Sequence, residues 1–189
     1  MDAEEICSLL VKMGALTKPE VASEGASAED SEDAGNVVGT VEQKNEAETE
    51  ISSVETINSA AYMQDPIVAN RLSVELLQRL GEQSKPEVVI APAGAPSYFG
   101  YSLALTAWAR FTYVTQNAAG KWELPEGVSL AAKQRVIIAL DTFDEQMALS
   151  LVNFVDSYHA KPIALLSLTG VENKTIFGTG SACKCISLL

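Results

Sequence analysis

The chain has 189 residues, of which 47% are hydrophobic and 20% charged, as in a soluble globular protein with a sizeable core. Its net charge of −12 is concentrated in residues 20–50, where ten acids stand against the single base Lys44 and give a local net charge of −9. The remainder has no basic excess for nucleic acid, and no apolar run of about 18 residues is present to cross a membrane.

The N-terminus and the cysteine content predict where the protein resides. A secretory signal needs a positively charged start, whereas this chain begins MDAEEICSLL. The three cysteines are few and odd in number, which suits a reducing compartment better than a disulfide framework. The sequence therefore predicts a cytoplasmic protein with no membrane or nucleic-acid partner.

Residues 3–16 are predicted to form a short amphipathic helix, because apolar residues recur there at helical spacing until Gly14. Residues 18–50 are rich in Glu, Ser, Ala, Asp and Gly and contain no aromatic residue, so we expect a mostly disordered or mobile insertion. A docking segment for a basic partner is the alternative. The expected domains are the N-terminal helix at 1–17, the acidic insertion at 18–50 and an α/β domain at 51–189.

From residue 51 onward, helices and strands alternate in the apolar pattern. A helix is predicted at 65–81, with Asp65 as its N-cap and Gly81 at its end. Further helices are predicted at 98–110 and 144–158, and strands at 88–91, 111–115, 135–141, 162–168 and 183–189. This alternation predicts an α/β fold with a central, mainly parallel sheet flanked by helices, whose ligands bind at the carboxyl ends of the strands. Residues 1–16 and 51–63 would form a small N-terminal hood.

One junction between a strand and a helix carries unusual chemistry, the stretch RVIIALDTFDEQMALSL at 135–151. In many α/β proteins the free N–H groups at such a junction hold a phosphate. Here the junction contains the carboxylates Asp141, Asp144 and Glu145 and no glycine. A phosphate would therefore meet negative charge where it normally meets backbone donors.

The order and apolar pattern of these segments resemble the type I phosphoribosyltransferases, and most of all orotate phosphoribosyltransferase. The resemblance covers residues 1–16 and 51–189 and is carried by EEICSLLVKMGAL, INSAAYMQDPIVANRLSVELLQRL, VVIAPAGAPSYFGYSLALTAWAR, RVIIALDTFDEQMALSLVNFV and KPIALLSL. It implies the type I phosphoribosyltransferase fold, a homodimer and a nucleotide-like small ligand. If the protein is active, it also implies phosphoribosyl pyrophosphate (PRPP) and Mg²⁺.

The PRPP motif that the resemblance implies, two adjacent acids and a glycine-rich phosphate loop, is altered in this chain. Leu140 stands at the position of the first acid, and Asp141 matches the second. The candidate ligand-binding residues after Asp141 are Thr142, Asp144, Glu145 and Gln146. Each carboxylate facing a phosphate costs roughly 1 kcal/mol in water and about 4 kcal/mol at an effective dielectric near 20, more than a helix N-terminus contributes. We therefore favour a capping role, with Asp144 as the N-cap of the next helix and Glu145 in its first turn.

The loop after the first predicted strand reads APAGAPSYFGY, and relatives hold pyrophosphate on backbone groups here. The small residues Ala93, Gly94 and Ala95 suit a close approach of that kind, although Pro96 removes one donor. These residues are candidates for a ligand rim. A plain turn is the alternative.

The resemblance also implies a flap, a mobile loop that closes over the pyrophosphate and carries cations that neutralise it as it leaves. The matching segment, residues 116–126, is predicted as a hairpin with a return strand at 121–124, and Lys121 is its single cation. Lys121 is thus a weak catalytic candidate, with a solvated side chain as the alternative. Its neighbour Trp122 would either cover an apolar ligand or pack onto the domain.

Metal chemistry has little support in the sequence. Cys183 and Cys185 lie two apart on a predicted strand and so share a face. With one other cysteine and one histidine in the chain, a closed zinc site is not expected, and we predict buried thiols instead.

Two functions stay open. The first hypothesis is a catalytically weak or inactive homologue. It is favoured by the loss of the first acid, the loop glycines and the flap cations. The segment ETINSAAYMQDP also lacks the lysine that orotate enzymes place near the pyrimidine base, as the resemblance implies. Such a pseudoenzyme would bind a partner, or a ligand less anionic than PRPP, in a regulatory role. The alternative is an active phosphoribosyltransferase of nucleotide metabolism that uses Asp141 with Mg²⁺ for the ribose.

Overall fold

The computed structural model describes residues 3–15, 59–81, 85–170 and 174–189, and within them seven strands form one sheet. The helices are α1 (Ala3–Lys12), α2 (Ser59–Tyr62), α3 (Pro66–Leu80), α4 (Ala95–Ala107) and α5 (Glu145–Ser157). The strands are β1 (Val88–Pro92), β2 (Arg110–Gln116), β3 (Trp122–Glu123), β4 (Arg135–Thr142), β5 (Lys161–Thr169), β6 (Thr175–Phe177) and β7 (Ala182–Ser187). The acidic insertion predicted at 18–50 lies outside the described residues.

The sheet has the strand order β3-β2-β1-β4-β5-β7-β6. Its inner neighbours, β2 with β1, β1 with β4, β4 with β5 and β5 with β7, pair in parallel, whereas β3 and β6 add antiparallel edges. Every residue of β1 is buried, as expected for a parallel strand that is covered on both faces. The predicted α/β fold with a mainly parallel sheet is confirmed.

Each face of the sheet has its own apolar core. On one face, α1 to α4 pack over Ile137 and Ala139 of β4, and on the other, α5 packs over Ile138 and Leu140. The close approach of α4 to the sheet depends on Gly100, where an added Cβ would lie 2.8 Å from the Cβ of Ala91. Because side chains alternate along a strand, the residues of β4 that follow Leu140 also face α1 to α4 and α5 in turn.

The described part of the predicted hood belongs to the first of these cores, whereas its residues 51–58 lie outside the described ranges. Ile6 and Leu10 of α1 and Tyr62 of α2 are fully buried in the same cluster as α3 and α4. The helix α3 begins and ends as predicted, because the Asp65 carboxylate accepts from the N–H groups of its first turn and Gly81 has a φ of 88°. The hood therefore rests on the sheet through apolar contacts.

The bounds of three predicted elements were wrong, and one strand was missed. The helix expected at 3–16 is α1, which ends at Lys12. The helix expected at 98–110 is α4, which begins three residues earlier behind Gly94 and ends at Trp108, whose left-handed backbone (φ 54°) stops it. The last strand, expected at 183–189, is β7. The short strand β6 carries too few residues to show a period in the sequence, and it exists through its antiparallel pairing with β7.

Candidate functional site

The carboxyl ends of β1, β4 and β5 lie side by side and form the candidate site. The loop after β1 leads into α4, and the loop after β4 leads into α5, so both helices begin at this edge. The register places Thr142 of β4 beside Thr169 of β5. Parallel sheets bind ligands at such an edge because loops and helix N-termini converge there.

Asp141, which matches the second acid of the motif, is buried at the end of β4, with only 7% of its surface exposed. Alternation along β4 turns it to the same face as Ala139, which is the face that the hood covers. The hood residue Tyr62 lies close to it. Burial raises the pKa of the Tyr62 hydroxyl far above its ordinary value, and the negative charge of Asp141 raises it further. The acid is thus shielded from solvent by the hood.

Hydroxyl groups line the opposite face of the same strand ends. The Thr169 hydroxyl donates to the hydroxyl of the candidate residue Thr142, at 3.5 Å. Ser167, two residues earlier on β5, is fully buried, and its hydroxyl has no hydrogen-bond partner among the described residues. The sequence did not indicate Ser167 and Thr169, because nothing in the apolar run PIALLSLT shows which residues of β5 pair with the end of β4.

The N-terminus of α5 is closed by its own side chain. Asp144 has an extended backbone, and its Oδ1 accepts a hydrogen bond from the N–H of Met147 at 2.6 Å. This is an N-cap, and it satisfies a donor that a phosphate would otherwise use. The predicted capping role of Asp144 is confirmed. Gln146, in the first turn beside it, is exposed.

Glu145 takes part in an ion pair that the sequence did not indicate. Its carboxylate receives a hydrogen bond from the ammonium group of Lys174, which stands just before β6. Both side chains are largely exposed, so the pair adds little stability. Glu145 thus places a second carboxylate at the start of α5, and Lys174 neutralises its charge. Lys174 escaped sequence analysis because β6 itself was not predicted.

The loop after β1 supplies the open rim of the site. Ala93, Gly94 and Ala95 are all exposed, and Gly94 has a φ of 102°, a left-handed value that favours glycine. The Ala93 N–H is used by the carbonyl of Val114 at 2.8 Å, whereas no side chain caps α4. Because β1 and β4 are neighbours in the sheet, the rim residues lie at the same sheet edge as Asp141 and Asp144.

The flap hairpin is fastened to the body of the domain. β3 pairs antiparallel with the end of β2, as the predicted return strand required. The indole N–H of Trp122 donates to the hydroxyl of Ser150 on α5 at 2.9 Å, and the ring packs on the second core. Of the two roles considered for Trp122, packing onto the domain is confirmed. Lys121 is exposed beside it.

The described residues include two buried thiols, but they form no cluster of metal ligands. Cys183 and Cys185 are buried free thiols on β7, as predicted. Burial raises the pKa of Cys183 to about 12 and that of Cys185 to about 11, so both are neutral at physiological pH. Within the described ranges, no three His, Cys, Asp or Glu side chains converge as a metal site would require.

Mg²⁺, which the resemblance implies for an active protein, does not fit this edge of the sheet. Mg²⁺ in phosphate-binding sites keeps several waters and needs an accessible carboxylate together with substrate phosphates. Asp141 is buried beneath the hood, and Asp144 is committed to its helix cap.

The sheet order, the crossovers and the strand-to-helix site together define the fold of the type I phosphoribosyltransferases. Solved structures with this fold include orotate phosphoribosyltransferase from Aeropyrum pernix, with a TM-score of 0.55 and 18% identity over 86% of this chain and 80% of that one. Adenine phosphoribosyltransferase from Saccharomyces cerevisiae gives a TM-score of 0.54 and 16% identity over 86% and 88% of the two chains. Similarity at this level of identity establishes the fold alone.

The adenine phosphoribosyltransferase from Trypanosoma brucei, solved with AMP, pyrophosphate and ribose-5-phosphate, is also similar, with a TM-score of 0.50 and 14% identity. That match covers 60% of this chain and 57% of the Trypanosoma brucei chain, so it leaves much of the latter without a counterpart. No protein-family model and no curated protein matches the sequence. None of the described helices is long and apolar enough to cross a membrane.

Proposed function

We propose that this chain is a phosphoribosyltransferase-like protein that does not use PRPP efficiently and acts as a binding or regulatory homologue. The observation that carries the proposal is the hydrogen bond from the Met147 N–H to Asp144 Oδ1, 2.6 Å long. A 5′-phosphate at the start of α5 would have to displace this carboxylate and then remain next to it. The cost is roughly 1 kcal/mol in water and about 4 kcal/mol at an effective dielectric near 20 for each such carboxylate.

The position of Asp141 supports the same conclusion. In the family motif, as the resemblance implies, this acid holds the ribose hydroxyls. Here Asp141 is 7% exposed and lies near the buried Tyr62 of the hood, so a ribose would reach it only if the hood moved away. Moving the hood would expose the apolar side chains that anchor it, such as Ile6 and Leu10, and this opposes binding.

The flap supports the proposal through its charge and its attachment. Its single cation is Lys121, and the Trp122–Ser150 hydrogen bond holds the hairpin against α5. A homodimer, which the family resemblance implies, would bring a second copy of the same cation-poor flap and would not restore the missing charge. Stabilisation of a leaving pyrophosphate, a large term in such catalysis, is therefore weak.

The rim loop supports a ligand of lower charge. Ala93, Gly94 and Ala95 remain exposed at the sheet edge, where a small nucleotide-like molecule has backbone to contact. The Asp144 carboxylate at the neighbouring helix start disfavours polyanions there, so we propose a nucleoside or a similar weakly charged molecule as the ligand class. A cytoplasmic location, expected from the sequence, belongs to this proposal.

The decisive experiment is calorimetric titration with PRPP and Mg²⁺. We expect no heat of binding from the unmodified protein, and recovery of binding in Asp144→Gly/Glu145→Gly. The pair Asp144→Asn/Glu145→Gln removes the same charge but keeps a good N-cap, so it separates charge from loop conformation. Glu46→Gln/Glu48→Gln changes net charge by the same amount elsewhere in the sequence and serves as the control. Binding of PRPP by the unmodified protein at millimolar affinity or tighter would overturn this proposal.

A further inference from the structure

A second cluster of polar residues lies at the edge of the sheet opposite the candidate site. The amino ends of β4, β5 and β7 meet there with the carboxyl end of α5 and the turn between β6 and β7. These segments surround a cavity of about 350 Å³, which we term the amino-edge pocket. The polar side chains among its lining residues are Lys133, Asp156, His159, Lys161 and Ser181.

Positive charge predominates among these side chains. Lys133 stands in the turn before β4, and Lys161 is the first residue of β5. Both are exposed, and in the part of the chain that the structure describes neither lysine forms an ion pair. Asp156 is the single carboxylate among the lining residues. The pocket therefore favours an anion, even though the chain carries a net charge of −12.

The carboxylate of Asp156 is used to hold a wall of the pocket in place. Its Oδ2 accepts a hydrogen bond from the N–H of Gly180 at 2.9 Å. Asn153, one turn earlier on α5, accepts from the N–H of Thr179 at the same distance. Both bonds fasten the turn between β6 and β7 to α5. The charge of Asp156 thus has a donor of its own, whereas the two lysines have no acidic partner among the described residues.

The basic residues are held together by their backbones. The Lys133 N–H donates to the His159 carbonyl at 2.7 Å, and the Lys161 N–H donates to the Gln134 carbonyl at 2.8 Å. Lys133 and His159 both have left-handed backbones, with φ of 63° and 56°, which residues with side chains adopt rarely. Such conformations cost free energy and occur often at functional sites. The fold therefore brings three basic residues to one cavity at some expense in local strain.

Ser181 supplies a separate indication of a ligand. Its hydroxyl oxygen is buried and has no hydrogen-bond partner among the described residues. Buried polar groups in proteins are nearly always hydrogen bonded, and an exception calls for a partner from outside the chain. Because Ser181 lines the amino-edge pocket, a molecule bound there is placed to supply that partner.

The lining residues indicate the chemistry of that molecule. Lysine ammonium groups act as point charges that suit phosphate oxygens, whereas carboxylates are typically held by the planar fork of arginine, which is absent from this lining. An imidazole N–H and a serine hydroxyl provide further donors. The buried residues Ala160 and Pro162 add apolar surface for a small organic group. The cavity lies at the lower end of the ~300–1,000 Å³ typical of small-molecule sites.

We propose that the amino-edge pocket binds the phosphoryl group of a small phosphate monoester, with Lys133, His159 and Lys161 around its oxygens. The inference does not depend on the proposed function, because β4 is eight residues long and separates this pocket from the candidate site by roughly 25 Å. The competing role for the three basic residues is purely structural. They would then only offset the partial negative charge at the carboxyl end of α5.

Nuclear magnetic resonance tests the proposal, because His159 is the only histidine in the sequence and its imidazole signals report on the pocket. At fixed pH and ionic strength, we expect glycerol 3-phosphate to shift these signals saturably, with a dissociation constant on the order of 1 mM or tighter. Glycerol and sodium chloride should shift nothing. Inorganic phosphate distinguishes the two sources of the group. Equal affinity would identify the free ion, and weaker affinity would show that the ester's organic part contributes.

Matched variants separate binding from a structural role. We expect Lys133→Gln/Lys161→Gln to weaken phosphate binding roughly 10-fold or more, and Lys12→Gln/Lys85→Gln, which removes the same charge outside the pocket, to leave it unchanged. Ser181→Ala should weaken binding about 3-fold without loss of stability in urea, because its hydroxyl bonds to no described residue. Circular dichroism checks that each variant is folded.

Three results would overturn the proposal. They are no saturable shift of the His159 signals at tens of millimolar ester, a shift that sodium chloride reproduces, and a shift that persists unchanged in the variant without both lysines. The same variant keeps this test distinct from the titration with PRPP. A PRPP molecule held at the start of α5 would bind that variant as well as the unmodified protein, whereas one held in the amino-edge pocket would not.

Discussion

The Oδ1 atom of Asp144 lies 2.6 Å from the backbone nitrogen of Met147 and accepts its hydrogen at the start of α5. The same N–H group, in a strand-to-helix junction of this kind, is a natural ligand for phosphate. One side chain thus serves the local folding of α5 and opposes the binding of an anion at the same place. The stability of α5 and the proposed lack of PRPP binding both depend on this hydrogen bond.

Replacement of the cap should reveal its contribution to stability. We expect Asp144→Ala to lower the free energy of unfolding by about 1 kcal/mol, within the ~0.5–2 kcal/mol measured for lost N-caps. Asp144→Asn should cost much less, because an amide oxygen can accept the same hydrogen bond. Urea unfolding followed by circular dichroism measures both. Equal losses for the two variants would mean that charge, rather than the hydrogen bond, stabilises the helix start.

The attachment of the flap gives a second prediction. Trp122→Phe keeps most of the apolar contact but removes the indole N–H, so we expect a loss of about 1 kcal/mol and faster hydrogen exchange in the flap hairpin. Ser150→Ala removes the other partner. If the hydrogen bond holds the hairpin, the double variant should lose clearly less than the sum of the single losses. Additive losses would show that the two side chains act separately.

Gly100 should tolerate no larger residue despite its position inside a helix. Gly→Ala normally stabilises a helix interior by up to about 1 kcal/mol. Here the new Cβ would lie 2.8 Å from the Cβ of Ala91 and 2.9 Å from a ring carbon of Phe111, so α4 would have to move from the sheet. We expect Gly100→Ala to lower the free energy of unfolding by ~1–3 kcal/mol, the range for overpacked cores. An increase in thermal stability would contradict this packing.

The buried thiols predict a loss of stability at alkaline pH. The ordinary pKa of a thiol, 9.0, rises to about 12 for Cys183 and to about 11 for Cys185 because both are buried. Between pH 9 and these values the native state keeps protons that the unfolded state has released, so the free energy of unfolding falls as pH rises. Below that window both states are protonated, and the contribution is fully present.

The size of this effect is set by linkage. Each thiol should lower the free energy of unfolding by up to about 1.4 kcal/mol per pH unit above its unfolded pKa. Urea unfolding of the unmodified protein and of Cys183→Ala/Cys185→Ala, from about pH 8 to pH 10.5, isolates the thiol contribution because all other groups are shared. Parallel curves for the two proteins would show that the thiols do not titrate as their burial requires.

The amino-acid sequence was sufficient for the fold class and for most of its elements. Alternating apolar runs predicted the parallel sheet, since a buried strand and an amphipathic helix each leave a periodic trace. Local chemistry predicted the caps at Asp65 and Asp144, because an N-cap depends on a side chain and N–H groups within three residues of it. The burial of Cys183 and Cys185 was predicted because the two residues lie two apart on a strand and so share a face.

Only the tertiary structure decided what these elements bring together. Tyr62 lies near Asp141, Trp122 bonds to Ser150, and Lys174 pairs with Glu145, and each pair joins residues far apart in the chain. The apolar content of α4 was visible in the sequence, but which of its side chains face solvent depended on the packing of Gly100 against Ala91. Local periodicity records the short-range preferences of the backbone, whereas contacts between distant segments arise from the packing of the whole sheet and its helices.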